Sequence, residues 1–167
     1  MLKEKIGLGG SCHWCTEAIF NSIIGVQSVE QGWVSSIAPD ETSSEGVIVH
    51  FDPNMIDLST LISIHLHTHS CTTNHSLRTK YRSAVYSYTK DQLDTSQSTI
   101  RDLQKDFNEP IITKTIPFEA FKLNSQNYLD YYYNNPQRPF CQNIINPKLK
   151  ILFKQYSSLV NREKLVI

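Results

Sequence analysis

Hydrophobic and polar positions divide this chain into short stretches that favour either strand or helix. The opening KEKIGLGG reads as a first strand ending in glycines. From Cys12 to Ile23 the positions Cys15, Ile19, Phe20 and Ile23 recur at helical spacing, which predicts a helix with Cys12 at its N-terminus. Val29 to Val34 and Gly46 to Phe51 are rich in β-branched residues and predict two strands, separated by the polar loop SSIAPDETSS. Asp52-Pro53 ends the second. Asp57 then reads as the N-cap of a helix carrying Leu58, Leu61, Ile62 and His65, ahead of the His-rich loop HTHSCTTNHS. RSAVYSY predicts a strand, residues 91–107 a polar helix and EPIITKTIPF a strand reaching Phe118. NSQNYLDYYYN predicts a Tyr-rich helix, and Pro147 is placed to start a last one.

Strands alternating with helices, with no internal repeat and no low-complexity linker, predict an α+β fold: a two-layer α/β sandwich with a mixed sheet. The 167 residues, 40% of them hydrophobic, fit a single domain spanning residues 1–167 around one sizeable core. Sixteen Lys and Arg residues balance 16 Asp and Glu, leaving no positive stripe of the kind that nucleic acid or an anionic membrane surface requires. No basic segment followed by an apolar one opens the sequence, and no apolar run approaches the roughly 18 residues of a membrane span. A cytoplasmic monomer is the expectation.

Charge excludes some functions; the cysteines suggest others. At positions 12, 15, 71 and 141 they are too few and too scattered for a disulfide scaffold, and in a reducing compartment they point to catalysis, redox chemistry or metal binding. In GGSCHWCTEAIF, Cys12 would meet the free backbone N–H groups and positive dipole end of its helix, which lowers a thiol pKa; the alternative is a buried, inert thiol. Cys15 is either the partner in a Cys-x-x-Cys pair or an inward-packing residue. His13 could hold Cys12 as thiolate or supply a proton. Trp14 could wall a pocket or simply pack in the core. In HLHTHSCTTNH, His65 and His69 stand four apart with Cys71 and His75 close behind, a spacing that could bind zinc, with Cys12 and Cys15 able to complete a site. His67 falls on another face and no second Cys-x-x-Cys exists, so no metal is assigned.

Taken in order, SCHWCTEAIF, EGVIVHFDP, KYRSAVY and FCQNIINPKLK resemble the motifs of the A-type methionine sulfoxide reductase family, with Cys12, Trp14, Glu17 and Phe20 in place in the first. The resemblance implies a ferredoxin-like sandwich. It also implies thiol-dependent reduction of the S-epimer of methionine sulfoxide, free or in peptides, with a thioredoxin-like reductant and no organic cofactor. It makes Cys12 the nucleophile that ends as a sulfenic acid, and Glu45 the acid, its pKa raised by partial burial against Trp14. An exposed Glu at a strand start is the alternative for Glu45. Tyr81 would orient the sulfoxide oxygen, and Trp14 and His13 would line the methyl pocket. Cys141, after Phe140 in a Pro-flanked segment read as mobile, would resolve the sulfenic acid, with Cys15 and then Cys71 as alternatives. Several positions depart from the family. Ser11 replaces a Gly, His13 a Phe and Ser76 an Asp; Asn124, Ser125 and Gln126 stand where the family has Tyr-His-Gln. The loop after Val34 is shorter and lacks its Tyr. Two other functions fit the residues: reduction of a different sulfoxide or sulfur compound on the same fold, and a non-catalytic zinc or redox-sensing module.

Overall fold

The computed structural model describes residues 3–163. Its strands are β1 (Glu4–Gly9), β2 (Val26–Ser35), β3 (Ser44–Phe51), β4 (Ala84–Ser87), β5 (Lys114–Pro117) and β6 (Ala120–Leu123), joined in one sheet in the order β5-β4-β1-β3-β2-β6. Among the described residues only the β4–β5 pair is parallel, so the sheet is mixed, as expected. The helices are α1 (His13–Asn21), α2 (Leu58–His67), α3 (Lys90–Leu103), α4 (Tyr131–Asn134) and α5 (Asn146–Gln155). The sequence β1-α1-β2-β3-α2-β4, with β3 lying between β1 and β2, is the ferredoxin-like arrangement.

The strand patterns follow from which faces are covered. Ile6, Leu8, Val47, Val49 and Phe51 pack under α1, α2 and α5 in the main core. The opposite face buries Val34, Ile48, Ala84 and Tyr86. With both faces covered, β3 reads as a continuous apolar run rather than a strict alternation. Each fully buried Ile or Leu contributes roughly 1.5–3 kcal/mol. At the helix starts, Asp57 accepts the Thr60 N–H at 2.8 Å, a cap worth about 1 kcal/mol. Pro147 lies in the first turn of α5.

Two segments differ from the sequence reading. The strand expected over residues 109–118 is confined to β5, because the N–H of Ile111 goes to the Gln104 side chain and that of Ile112 to the Cys71 carbonyl. The expected Tyr-rich helix is instead a 3-10 turn (Gln126–Tyr128) followed by the four-residue α4. Asp130 between them is in the left-handed region, φ 51°, and its N–H and that of Tyr131 bond to Glu17 instead of continuing a helix. Ahead of this turn, β6 lies along β2, close enough that any side chain at Gly32 would collide with the Lys122 carbonyl. Among the described residues no helix is long and apolar enough to cross a membrane.

Candidate active site

Where β1 ends, the chain must turn sharply into α1. Gly10 makes that turn at φ +148°, with the His69 ring filling the space its side chain would need. Arg78 clamps the turn by donating to the carbonyls of Gly10 and Tyr81. These contacts leave Cys12 as the N-cap of α1, half-buried, facing a cavity of about 290 Å³. The Cys12 thiol falls from the ordinary 9.0 to about 7. The largest cause is the hydrogen bond donated by the Cys15 thiol; burial opposes it and the Trp14 backbone N–H assists. The helix start alone is therefore not what makes Cys12 acidic. Cys15 is buried in the core, and donating to Cys12 pushes its own pKa far up. Cys15 thus packs inward, as one of its two expected roles had it, and from there its thiol reaches Cys12.

The register of β2 on β3 sets the opposite wall. Trp33 pairs directly with Glu45, so the two side chains lie side by side on one face. Nothing in the sequence singled out Trp33; its ring now meets the His13 ring edge-on at 5.5 Å and closes the cavity. Glu45 is 4% exposed, not at a solvent-facing strand start. Its Oε1 lies 2.9 Å from His13 Nδ1, a close electrostatic contact not aligned as a hydrogen bond, and accepts the His13 backbone N–H at 3.3 Å. Lys80 Nζ stands 3.7 Å from Oε2. Burial pushes the Glu45 pKa up, but the contacts from His13 and Lys80 outweigh it and hold the carboxyl below the ordinary 4.5. The expected rise is thus reversed. The reason is His13, which brings a polar ring against the carboxylate where the resemblance has a phenyl group.

Trp14 stacks on Tyr131 with ring centroids 4.0 Å apart and meets Phe140 edge-on at 5.5 Å. It lines the cavity, braced by aromatics, and packs against the main core. Tyr81 lines the cavity, with Lys80 Nζ 5.2 Å above its ring. The segment carrying both is fixed to the start of β3: the Lys80 carbonyl accepts the Glu45 N–H at 2.8 Å and the Ser44 hydroxyl at 2.8 Å. Cys141 opens a π-helical turn, Cys141–Ile145, and is wholly buried rather than displayed on a loose segment; burial raises its thiol pKa. Its neighbour Phe140 reaches the cavity.

The remaining candidates do not converge here. His65 Nε2 contacts the Gly9 carbonyl, His69 Nδ1 contacts the His65 carbonyl and its Nε2 the Ser83 hydroxyl, and His75 Nδ1 accepts the Leu77 N–H. Each of these contacts ties the ring to the fold rather than to the cavity. Among the described residues no three His, Cys, Asp or Glu side chains are placed to hold a metal ion. A larger cleft of about 400 Å³ is lined by Asp40, Arg78, Arg82 and Lys114. Its charges pair with one another or with backbone carbonyls. A cavity with an acidified thiol, aromatic walls and a buried carboxylate suits attack on a small, soft, polarisable centre carrying an oxygen.

The chain matches the peptide methionine sulfoxide reductase family over residues 4–159. The peptide methionine sulfoxide reductases of Trichodesmium erythraeum and Deinococcus radiodurans are 33% and 32% identical to it, over 95% and 92% of this chain and 98% and 82% of their own. Among solved structures, Mxr1 from Saccharomyces cerevisiae in reduced form superposes with a TM-score of 0.73 at 21% identity, covering 81% of this chain and 87% of that one. Mxr1 in complex with Trx2 gives 0.63 at 20%, over 75% and 84%.

Proposed function

This chain belongs to the peptide methionine sulfoxide reductase family, and from that premise we propose that it reduces the S-epimer of methionine sulfoxide, free or in peptides, through Cys12. The observation that carries this reading is the Cys12 thiol, lowered to about 7 and opening onto a cavity that also holds Glu45. Near neutral pH a substantial fraction of Cys12 is thiolate, the form that attacks. Its sulfur bonds to the sulfoxide sulfur while the oxygen is protonated; the hydroxyl then passes from that sulfur to Cys12 as the S–O bond and the transient S–S bond break, leaving a sulfenic acid on Cys12 and freeing the sulfide. The balance is one thiolate, one sulfoxide and one proton giving one sulfenic acid and one sulfide; the Cys12 sulfur is oxidised as the substrate sulfur is reduced. Glu45 delivers the proton. Because it is held below the ordinary range it is a stronger but scarcer acid, and Tyr81, which lines the same cavity, orients the sulfoxide oxygen toward it. Trp14, Trp33 and Phe140 seat the apolar arm of the substrate.

The sulfenic acid then condenses with a second thiol, releasing water and forming a disulfide. Cys15, already hydrogen-bonded to Cys12, takes that role ahead of Cys141. The resulting disulfide is returned to two thiols by a dithiol protein of the thioredoxin kind; Mxr1, which shares this fold, has been solved in complex with Trx2. We further read the chain as one domain over residues 1–167, acting as a monomer in a reducing, cytoplasmic setting suited to its scattered cysteines. A dithiothreitol-coupled assay against the separated epimers tests the reading. Turnover of the S-epimer that disappears in Cys12→Ser supports it, and turnover of neither epimer refutes it.

A further inference from the structure

His13 occupies the centre of this site without a role in the reaction as written, and its surroundings define one. Two side-chain amides lead to it, and both are oriented by backbone groups. Gln31 Nε2 lies 2.8 Å from the Tyr128 carbonyl and 3.0 Å from Glu17 Oε1. A carbonyl can only accept, so the Gln31 nitrogen must face it and the Gln31 oxygen must face Asn124. Asn124 Oδ1 accepts the Ser125 backbone N–H at 3.0 Å. Its nitrogen is thereby turned inward, 2.7 Å from Gln31 Oε1 and 3.1 Å from His13 Nε2.

An amide nitrogen has only hydrogens to offer, so His13 Nε2 must present its lone pair and the ring hydrogen must sit on Nδ1. The other end agrees, because Nδ1 lies 2.9 Å from Glu45 Oε1. The opposite tautomer would set two N–H groups against each other at Nε2 and a lone pair against a carboxylate oxygen at Nδ1. His13 and Gln31 are 5% and 0% exposed, so water cannot relieve such a clash. Glu45 Oε1 then accepts the His13 backbone N–H and faces the Nδ1 edge of the same residue in close electrostatic contact, and Oε2, beside Lys80, is the oxygen left to exchange a proton.

We propose that Gln31 and Asn124 form a directional relay that fixes the hydrogen of His13 on Nδ1, making His13 the positioning residue that aims Glu45 Oε2 at the substrate oxygen. The tautomer follows from the hydrogen bonds alone; its consequence for proton delivery rests on the reductase reading above. Substitution of Asn124 reverses or frees the relay at one point. In Asn124→Asp the carboxylate accepts and draws a hydrogen onto Nε2, and in Asn124→Leu the contact with Glu45 Oε1 is left to set the tautomer.

The test uses reduced protein labelled with ¹⁵N-histidine, read by long-range ¹H–¹⁵N correlation, with the His13 signal identified by its loss in His13→Gln. The parent should carry its hydrogen on Nδ1, and Asn124→Asp should carry one on Nε2 while the His65 and His69 signals stay put, showing an intact fold. A parent with its hydrogen on Nε2, or a tautomer indifferent to Asn124, overturns the relay even if methionine sulfoxide is turned over. The second readout is single-turnover oxidation of Cys12 by the S-epimer, set against its alkylation by iodoacetamide. Misdirecting Glu45 in Asn124→Asp should slow the former by about 10²-fold and leave the latter within a few-fold. Equal rates in parent and variant overturn the positioning role. The expected tautomers with no turnover by the parent would leave the relay standing and remove the reductase reading instead.

Discussion

Two stretches of this chain, the turn into α1 and the loop after α2, concentrate cysteine and histidine, and the fold treats them in opposite ways. Around Cys12 the polar groups converge on a cavity and act on one another: Cys15 on Cys12, His13 and Lys80 on Glu45. After α2 the same residue types are consumed by the architecture. His65 and His69 stack at 4.2 Å and bind carbonyl and hydroxyl oxygens, and Cys71 is pushed by burial up to about 11. The two regions even touch, since the His69 ring fills the space beside Gly10. In one region the contacts tune groups that open onto a cavity; in the other they lock the backbone.

Substitutions can break this contrast. The largest effect is expected from Cys12→Ser, which should abolish reduction of methionine sulfoxide, whereas Cys71→Ala should keep the parent kcat; a Cys71→Ala enzyme as dead as Cys12→Ser would erase the distinction. Next, Glu45→Gln should slow sulfoxide reduction by about 10²- to 10⁴-fold, the usual worth of a proton donor. Its Cys12 should be alkylated as fast as the parent's or faster, because the Glu45 charge raises the Cys12 pKa. Stopped-flow oxidation and iodoacetamide labelling of the same preparation separate the two effects.

A smaller change should follow in Cys15→Ala. Without the hydrogen bond that is the main cause of its acidity, Cys12 should show a pH midpoint for alkylation moved from about 7 toward the ordinary 9.0. An unmoved midpoint would assign the acidity to the helix start. The smallest effect belongs to the other region and concerns stability. Burial lowers the His65 pKa from 6.5 to about 4, so between those values the unfolded chain binds more protons than the folded one. Urea midpoints should therefore decline as pH falls from 6.5 to 4, and less steeply in His65→Asn.

The sequence made the strands and helices legible where the signals are local. The β-branched run GVIVHF became β3, Asp57 capped α2, and Pro147 began α5. β6 escaped because four largely exposed residues held by backbone bonds to β2 leave no hydrophobic pattern; the one available signal was Gly32, bare in mid-strand. In the site, Cys12, Trp14, Glu45 and Tyr81 were legible through ordered motifs. Trp33 and Lys80 were not, because they reach the cavity through strand register and a backbone hydrogen bond, and the link from Gln31 through Asn124 to His13 was not, because it is side-chain pairing across 93 residues. The downward shift of Glu45 was hidden for the same reason: its cause is contact with His13, 32 positions away.

The central claim, that Cys12 is the atom-transfer centre of a methionine sulfoxide reductase, is tested most directly by one stoichiometric reaction. Reduced protein, freed of dithiothreitol, is mixed with excess S-epimer, the methionine formed is counted, and the protein is mapped by mass spectrometry. The account predicts at least one methionine per chain, none from the R-epimer, and a protein lighter by two hydrogens with Cys12 and Cys15 joined. A protein that forms no methionine, or that forms it while Cys12 remains a free thiol without oxidation, would contradict it.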